Sequence, residues 1–427
     1  MIRLYLILIL FSSTSMAEFS AILEQELALE ADGKRQKFET TIQGEWNSSL
    51  NDSIDMTVII RGRFDGGKSL GFNSTNPPNY SSFNGAFVTS SKGDIQLREW
   101  FITTEFLNTF WKIGKQQVVW GQADGLKILD VINPQSFREF ILDDFDDSRI
   151  PTWMVNAEVP LSAQSTLQVL WIPDTTYNEF ALTNSPYEIT SPLFVPQLSD
   201  GVNLVGFKQS KPKSFFKDSD FGLRYSVFAG GWDLTLNYFY HYLDSPVLFQ
   251  NLTDANLSID SQYQRSHLLG ASASNAFGDF TLRTELGYSS DTFHLSRDLS
   301  QSGIVQSSDV STVIGLDYQG ISDTLLSVQW FASHLFDYEQ SMVRDQNTST
   351  ISFLIKRSFQ NETWDMEILA LHNSDNDDGS LQMLINYALS SHTKLWFGTD
   401  VFYGNKDGLF GQFSKQDRLT IGVQWGL

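Results

Sequence analysis

The 427-residue sequence contains no cysteine, so neither a disulfide framework nor a thiolate metal site can be built from it. No stretch reaches the roughly 18 uninterrupted apolar residues of a membrane-crossing helix, so any membrane span must be made of strands. Proline is scarce and unevenly placed, at 77, 78, 134, 151, 160, 173, 186, 192, 196, 212 and 246, with none beyond Pro246. Proline removes a ladder hydrogen bond and is expelled from paired strands, so its absence favours a strand-rich C-terminal half. Cations are outnumbered, 29 against 50 carboxylates for a net charge of −21, which makes nucleic acid an unsuitable partner. The six histidines, at 241, 267, 294, 334, 372 and 392, fall in no His-Glu-x-x-His pair, and no Gly-x-Ser-x-Gly elbow occurs. A barrel lipase could still set Ser beside His267 or His334 on neighbouring strands, but one histidine on a strand is more often an interface or pore residue. No cofactor and no enzymatic activity are expected.

The N-terminus carries an export signal. Met1-Ile2-Arg3 is a short basic region, Leu4 to Phe11 an apolar one, and Ser15-Met16-Ala17 places small residues at the cleavage positions. Residues 1–17 are read as the signal peptide and 18–427 as the mature chain, whose charge becomes −22 once Arg3 is lost.

Aromatic residues are plentiful, with 33 Phe, 14 Tyr and 11 Trp, yet mean hydropathy is only −0.19. Strands with one face in lipid and the other in water produce that mixture. In Trp232 to Tyr242 every even position is apolar or aromatic, and Leu419, Ile421, Val423, Trp425 and Leu427 form a closing apolar stripe. Eighteen such segments are expected near 20–33, 36–48, 52–65, 94–106, 109–120, 152–160, 164–173, 219–229, 232–243, 262–274, 279–290, 308–319, 323–335, 347–359, 362–374, 379–389, 392–404 and 416–427. Residues 202–208 form a weaker candidate, assigned to loop structure.

Loop lengths test this reading independently. Counting from a periplasmic N-terminus, every second connection is tight, including Leu107-Asn108, Gly230-Gly231, Gln360-Asn361 and Ser390-Ser391. The long ones, at 66–93, 121–151, 174–218, 244–261 and 291–307, all fall on the opposite side, as an outer-membrane barrel requires. A soluble sandwich, solenoid or propeller has no use for this parity, and no fixed repeat period occurs. The expected fold class is all-β: a transmembrane, antiparallel, up-and-down barrel of about 18 strands, with 16 as the alternative.

Lys112-Ile113-Gly114-Lys115-Gln116-Gln117-Val118-Val119-Trp120-Gly121, followed by Val131-Ile132-Asn133-Pro134, is the most distinctive segment. It resembles a proteobacterial family of porin-like outer-membrane barrels catalogued as a domain of unknown function. Asp144 to Pro151 and Asp417-Arg418-Leu419 are similar as well. There are two departures: Lys115 stands where the family leads one to expect arginine, and the chain closes on Leu427 rather than an aromatic. The resemblance implies transport across the outer membrane, with a periplasmic carrier and an inner-membrane resistance–nodulation–division exporter as partners. The other expected partners are outer-membrane lipid, lipopolysaccharide and the barrel-assembly machinery.

Three groups of residues are candidates for function. In this register Glu24, Glu26, Lys37, Glu39, Arg61, Arg63, Arg224, Arg283, Glu285, Asp365, Glu367, Asp400 and Arg418 face the interior, where they would line a pore or simply be solvated and cross-strand paired. The long 121–151 connection carries Gln122, Asp124, Lys127, Asp130, Arg138 and Glu139 among apolar residues that a disordered loop would lack. It is expected either to fold into the lumen as a constriction, with Gly121 and Gly125 allowing the bend, or to pack as an extracellular cap. Asp143, Asp144, Asp146 and Asp147, echoed at Asp375, Asp377 and Asp378, are dense enough to suggest Ca²⁺ but lack the EF-hand spacing, and a solvated acidic face is the plainer reading.

The resulting expectation is an outer-membrane channel, passive or exporter-linked. A conduit for lipid-like molecules and a closed scaffold remain as alternatives. Phe72, Tyr80, Phe83, Phe87, Tyr177, Phe180, Tyr187 and Phe194 would either line an apolar path or pack the loops together.

Overall fold

Alternation with period two gives each strand one face for hydrocarbon and one for the interior, and the sheet satisfies its edge amides only by closing on itself. In the computed structural model, which describes residues 17–67, 69–72, 79–198 and 201–427, eighteen strands do so. They are β1 (Ala17–Glu30), β2 (Arg35–Asn51), β3 (Ile54–Asp65), β4 (Gly93–Phe106), β5 (Thr109–Gln116), β6 (Thr152–Ser162), β7 (Ser165–Ile172), β8 (Asp220–Ala229), β9 (Trp232–Tyr242), β10 (Arg265–Phe277), β11 (Phe280–Leu295), β12 (Ile304–Ile321), β13 (Thr324–Leu335), β14 (Asn347–Phe359), β15 (Trp364–Asn373), β16 (Asp378–Ser390), β17 (Thr393–Tyr403) and β18 (Arg418–Gly426). Each pairs antiparallel with its successor, and β1 closes on β18 from Ile22↔Gly426 to Glu30↔Arg418. The signal segment expected at 1–17 lies outside the described residues except for Ala17.

The outward face is almost wholly apolar. Leu23, Leu27 and Leu29 on β1 meet Trp425, Ile421 and Leu419 on β18 across the closing seam. Aromatic pairs mark the two rims: Trp232–Phe277, Phe280–Tyr318 and Trp364–Tyr387 near the short turns, Trp100–Trp153 and Tyr240–His267 near the long loops. Such belts sit at the headgroup level of a bilayer. Gln25 is a polar side chain at mid-strand, and its neighbours satisfy it: its amide donates to the Glu39 carbonyl at 2.8 Å and accepts from the Thr40 hydroxyl at 2.5 Å. The chain is an outer-membrane barrel.

The sheet departs from the sequence reading in two places. β5 ends at Gln116 instead of running to Trp120. Gly114 adopts a φ of +137°, and beyond it the Val118 amide bonds to the Asn133 side chain at 2.8 Å instead of to a neighbouring strand. The 202–208 candidate is a strand, Asn203–Ser210, but it lies outside the barrel wall. It pairs parallel with Asn256–Gln262, which pairs antiparallel with Val247–Thr253, so the long loops carry a small sheet of their own.

Candidate functional site

The connection from Gln117 to Pro151 leaves the wall between β5 and β6 and touches inward-facing residues on strands right around the barrel. Only a segment inside the lumen can do this. It is held there as a plug, by apolar contact on two sides and by ion pairs between them.

On one side Val118, Trp120, Leu129 and Ile132 of the plug pack with Met154, Leu170, Ile172, Phe239 and Leu268 of β6, β7, β9 and β10. Trp120 is fully buried, edge-on to Phe239 at 5.9 Å, and donates its indole N–H to Gln168 at 2.8 Å. On the other side Phe140, with Leu126, Ile141 and Leu142, packs with Leu369 and Leu371 of β15, Phe402 of β17, and the loop residues Phe410, Phe413 and Tyr187. A fully buried side chain of this size contributes about 1.5–3 kcal/mol, so the plug is a second core inside the barrel. Gly125 adopts a φ of +87°, and a Cβ there would lie 2.9 Å from Leu371 Cδ2.

The ion pairs fix the register of the plug. Glu139, fully buried, accepts from Lys37 of β2 at 2.7 Å and from Arg418 of β18 at 2.6 Å, and Arg138 bonds Glu39 of β2 at 2.6 Å. Across the lumen Asp124 pairs with Arg283 of β11 at 2.6 Å and accepts from Gln329 of β13 at 2.8 Å. Glu285 of β11 receives the amides of Gln122 and Leu129, and Arg224 of β8 donates to the Val119 carbonyl at 3.2 Å. Lys127 and Asp130 face each other within the plug at 3.2 Å, with Arg149 also on Asp130 at 2.8 Å.

Beneath the plug, towards the short turns, lies a cavity of about 460 Å³. Glu24, Glu26, Lys37, Glu39, Arg61, Arg63, Asp365, Glu367, Lys394, Asp400 and Arg418 line it, and Arg138, Asp143, Asp144 and Asp147 form its roof. Burial opposes the charge on Glu139, but Lys37, Arg418 and Arg138 outweigh it and hold that carboxyl below its ordinary range. Asp143 behaves in the opposite way: burial, then the nearby Glu139 carboxylate, push it up to about 7. Burial and the Asp147 charge raise Asp144 as well.

The wall candidates therefore divide between two places, most around the cavity and Arg224, Arg283 and Glu285 against the plug. Three of the four aspartates weighed for Ca²⁺, Asp143, Asp144 and Asp147, share the cavity roof, but the four do not converge as a ligand set. Asp147 is taken by Arg61 at 2.8 Å and Asp146 by Arg149 at 2.5 Å, while Asp143 and Asp144 turn to the cavity. Among the described residues no group of three or more His, Asp or Glu is placed to hold a metal ion. The loop aromatics pack the loops onto one another: Tyr177 stacks on Tyr263 at 3.9 Å, Phe180 on Phe137 at 5.8 Å, and Phe72 lies 4.4 Å from the Arg138 guanidinium. Sequence reasoning missed Arg98, which donates to the Asp146 and Asp147 carbonyls at 2.6 and 3.1 Å, and it missed the inward apolar residues that seat the plug. The latter do leave a trace: alternation gives way to apolar residues on both faces at Leu268-Leu269 and Ile368 to Leu371.

Among solved structures, the chain has the fold of OpdK from Pseudomonas aeruginosa, determined with vanillate, at 11% identity and a TM-score of 0.53, covering 96% of this chain and 98% of that one. OccAB4 from Acinetobacter baumannii aligns equally well, at 9% identity, a TM-score of 0.53 and the same two coverages. No curated protein matches by sequence. Residues 26–424 match the model of the family described as a protein of unknown function, DUF1302, and the chain belongs to that family.

Proposed function

We propose that this barrel is a plug-gated channel for transport across the outer membrane, entered from the periplasmic side, with no catalytic role. The observation that carries it is the cavity beneath the plug: a charged vestibule that ends on a segment held by replaceable contacts instead of by a continuous wall. Passage requires the 117–151 segment to shift, and the closed state described above is the resting one. The fold shared with OpdK supports a transport role. Without the four charged residues of the plug, the vestibule wall keeps six carboxylates against five cations, so once the plug moves the path favours cationic solutes only slightly.

A second reading, a conduit for apolar molecules fed by a periplasmic carrier and an inner-membrane exporter, draws on a different observation. The plug seats on inward apolar patches, Leu268 and Phe239 on one side and Leu369, Leu371 and Phe402 on the other, and its displacement would expose them as an apolar track.

Planar-bilayer recording separates these readings. The mature chain should be nearly silent, and a variant lacking 122–150 should give stable ohmic steps with a weakly cation-selective reversal potential. Steps with no selectivity, together with co-purified lipid, favour the apolar conduit. Silence of both proteins overturns the channel and leaves a closed scaffold.

A further inference from the structure

Four of the chain's fifteen lysines, Lys208, Lys211, Lys213 and Lys217, fall within ten residues that contain no carboxylate, in a protein whose charge is otherwise strongly negative. The second half of that segment folds as a tight turn against the outside of the barrel. Asp218 accepts the amides of Lys213 at 2.9 Å and Ser214 at 2.8 Å, and the Ser219 hydroxyl donates to the Phe216 carbonyl at 2.7 Å. The turn therefore holds two adjacent aromatics in fixed positions. Phe216 stacks on Trp171 at 6.1 Å and Phe215 meets the same ring edge-on at 5.5 Å. Trp171 is a β7 residue on the outward face, in register with Val155 and Phe221, so both rings extend the lipid-facing belt at the extracellular rim. They do not pack away: Phe216 remains 77% exposed, and Lys213 and Lys217 on either side are exposed as well.

Rings that continue the hydrocarbon belt, flanked by exposed ammonium groups at the height where headgroups begin, match a ligand that is apolar below and anionic above. We propose that the Lys213–Lys217 turn is a binding site for a phosphorylated glycolipid of the outer leaflet, lipopolysaccharide, with Lys213 and Lys217 on the lipid A phosphates and Phe215 and Phe216 against its acyl chains. Lysine supplies the point charges that a phosphate takes without a planar fork.

The test uses the purified mature chain in detergent, with lipid A carrying both phosphates as the probe and native mass spectrometry as the readout. The wild type should retain the lipid, and Lys213→Glu/Lys217→Glu should retain about tenfold less or lower still, since each lysine near an anionic surface contributes measurably to attachment. Lys406→Glu/Lys415→Glu, the same charge change in a different loop, should behave as wild type. Unheated gel mobility verifies that every variant is a closed barrel. Undiminished retention by the Lys213/Lys217 variant, or equal retention of phosphate-free lipid A by the wild type, overturns the proposal.

Discussion

Glu139 and Arg418 meet at 2.6 Å inside the barrel although 279 residues separate them. One belongs to the plug and the other opens the strand that closes the sheet, so this pair ties the plug directly to the closing strand. Lys37 on β2 completes the arrangement at 2.7 Å from the same carboxylate.

Removing one member of a buried ionic group leaves the others uncompensated, at a cost of about 3–5 kcal/mol. Glu139→Ala should therefore loosen the plug without opening the sheet. Hydrogen exchange should accelerate across 117–151 and not in β1 or β18, and bilayer recordings should gain openings. Unchanged protection of the plug would show that the apolar contacts alone hold it.

Gating should depend on pH through Asp143. Its pKa rises on docking from an ordinary carboxyl value to about 7, so the docked plug binds the proton more tightly than the released one. That contribution is complete below the ordinary value and is lost as pH climbs through 7. Openings should accordingly become more frequent between about pH 4 and pH 7 and level off above that, and Asp143→Asn should flatten the profile. An identical profile in that variant would assign the pH response to another group.

Gly125 offers a steric test. A β-carbon there suffers both the left-handed backbone and the 2.9 Å approach to Leu371, so Gly125→Val should unseat the middle of the plug. Adding Leu371→Ala relieves the clash but not the backbone cost, and should restore protection only in part. Full restoration would mean that the backbone conformation at 125 costs little.

The lipid face provides a double-mutant cycle. Thr40→Val strips Gln25 of a donor where hydrocarbon offers none, costing about 1–3 kcal/mol. Gln25→Leu/Thr40→Val removes both polar groups and should lie close to wild type. Urea titration of the barrel in vesicles measures both, and additive losses would place Gln25 within reach of water.

The wall was legible because lipid imposes one rule on every strand, and outward runs such as Leu419, Ile421, Val423 and Trp425 obey it without exception. The interior follows no such rule. Val118-Val119-Trp120 continues the strand pattern of β5, yet these residues enter the lumen because Gly114 and Asn133 redirect the backbone. Individual ion pairs were equally hidden: Glu139 reads as one acid in an ordinary loop until the fold carries Lys37 and Arg418 to it. What the sequence did offer there was Leu369 and Leu371, apolar where a water-filled lumen calls for polar residues, and their meaning becomes plain only once the plug is seen to rest on them.

The stopper is anchored from above as well as from the sides. Glu179 and Phe180 of the 173–219 loop pair with Ser136 and Phe137, and Tyr187 from the same loop reaches Gln36 at 3.0 Å. Tyr187 also lies 5.7 Å from the Arg418 guanidinium, so among the described residues the outer loop covers the Glu139 ion pairs from above. Under the proposed gating, whatever releases the stopper would then act from the vestibule side, within the envelope.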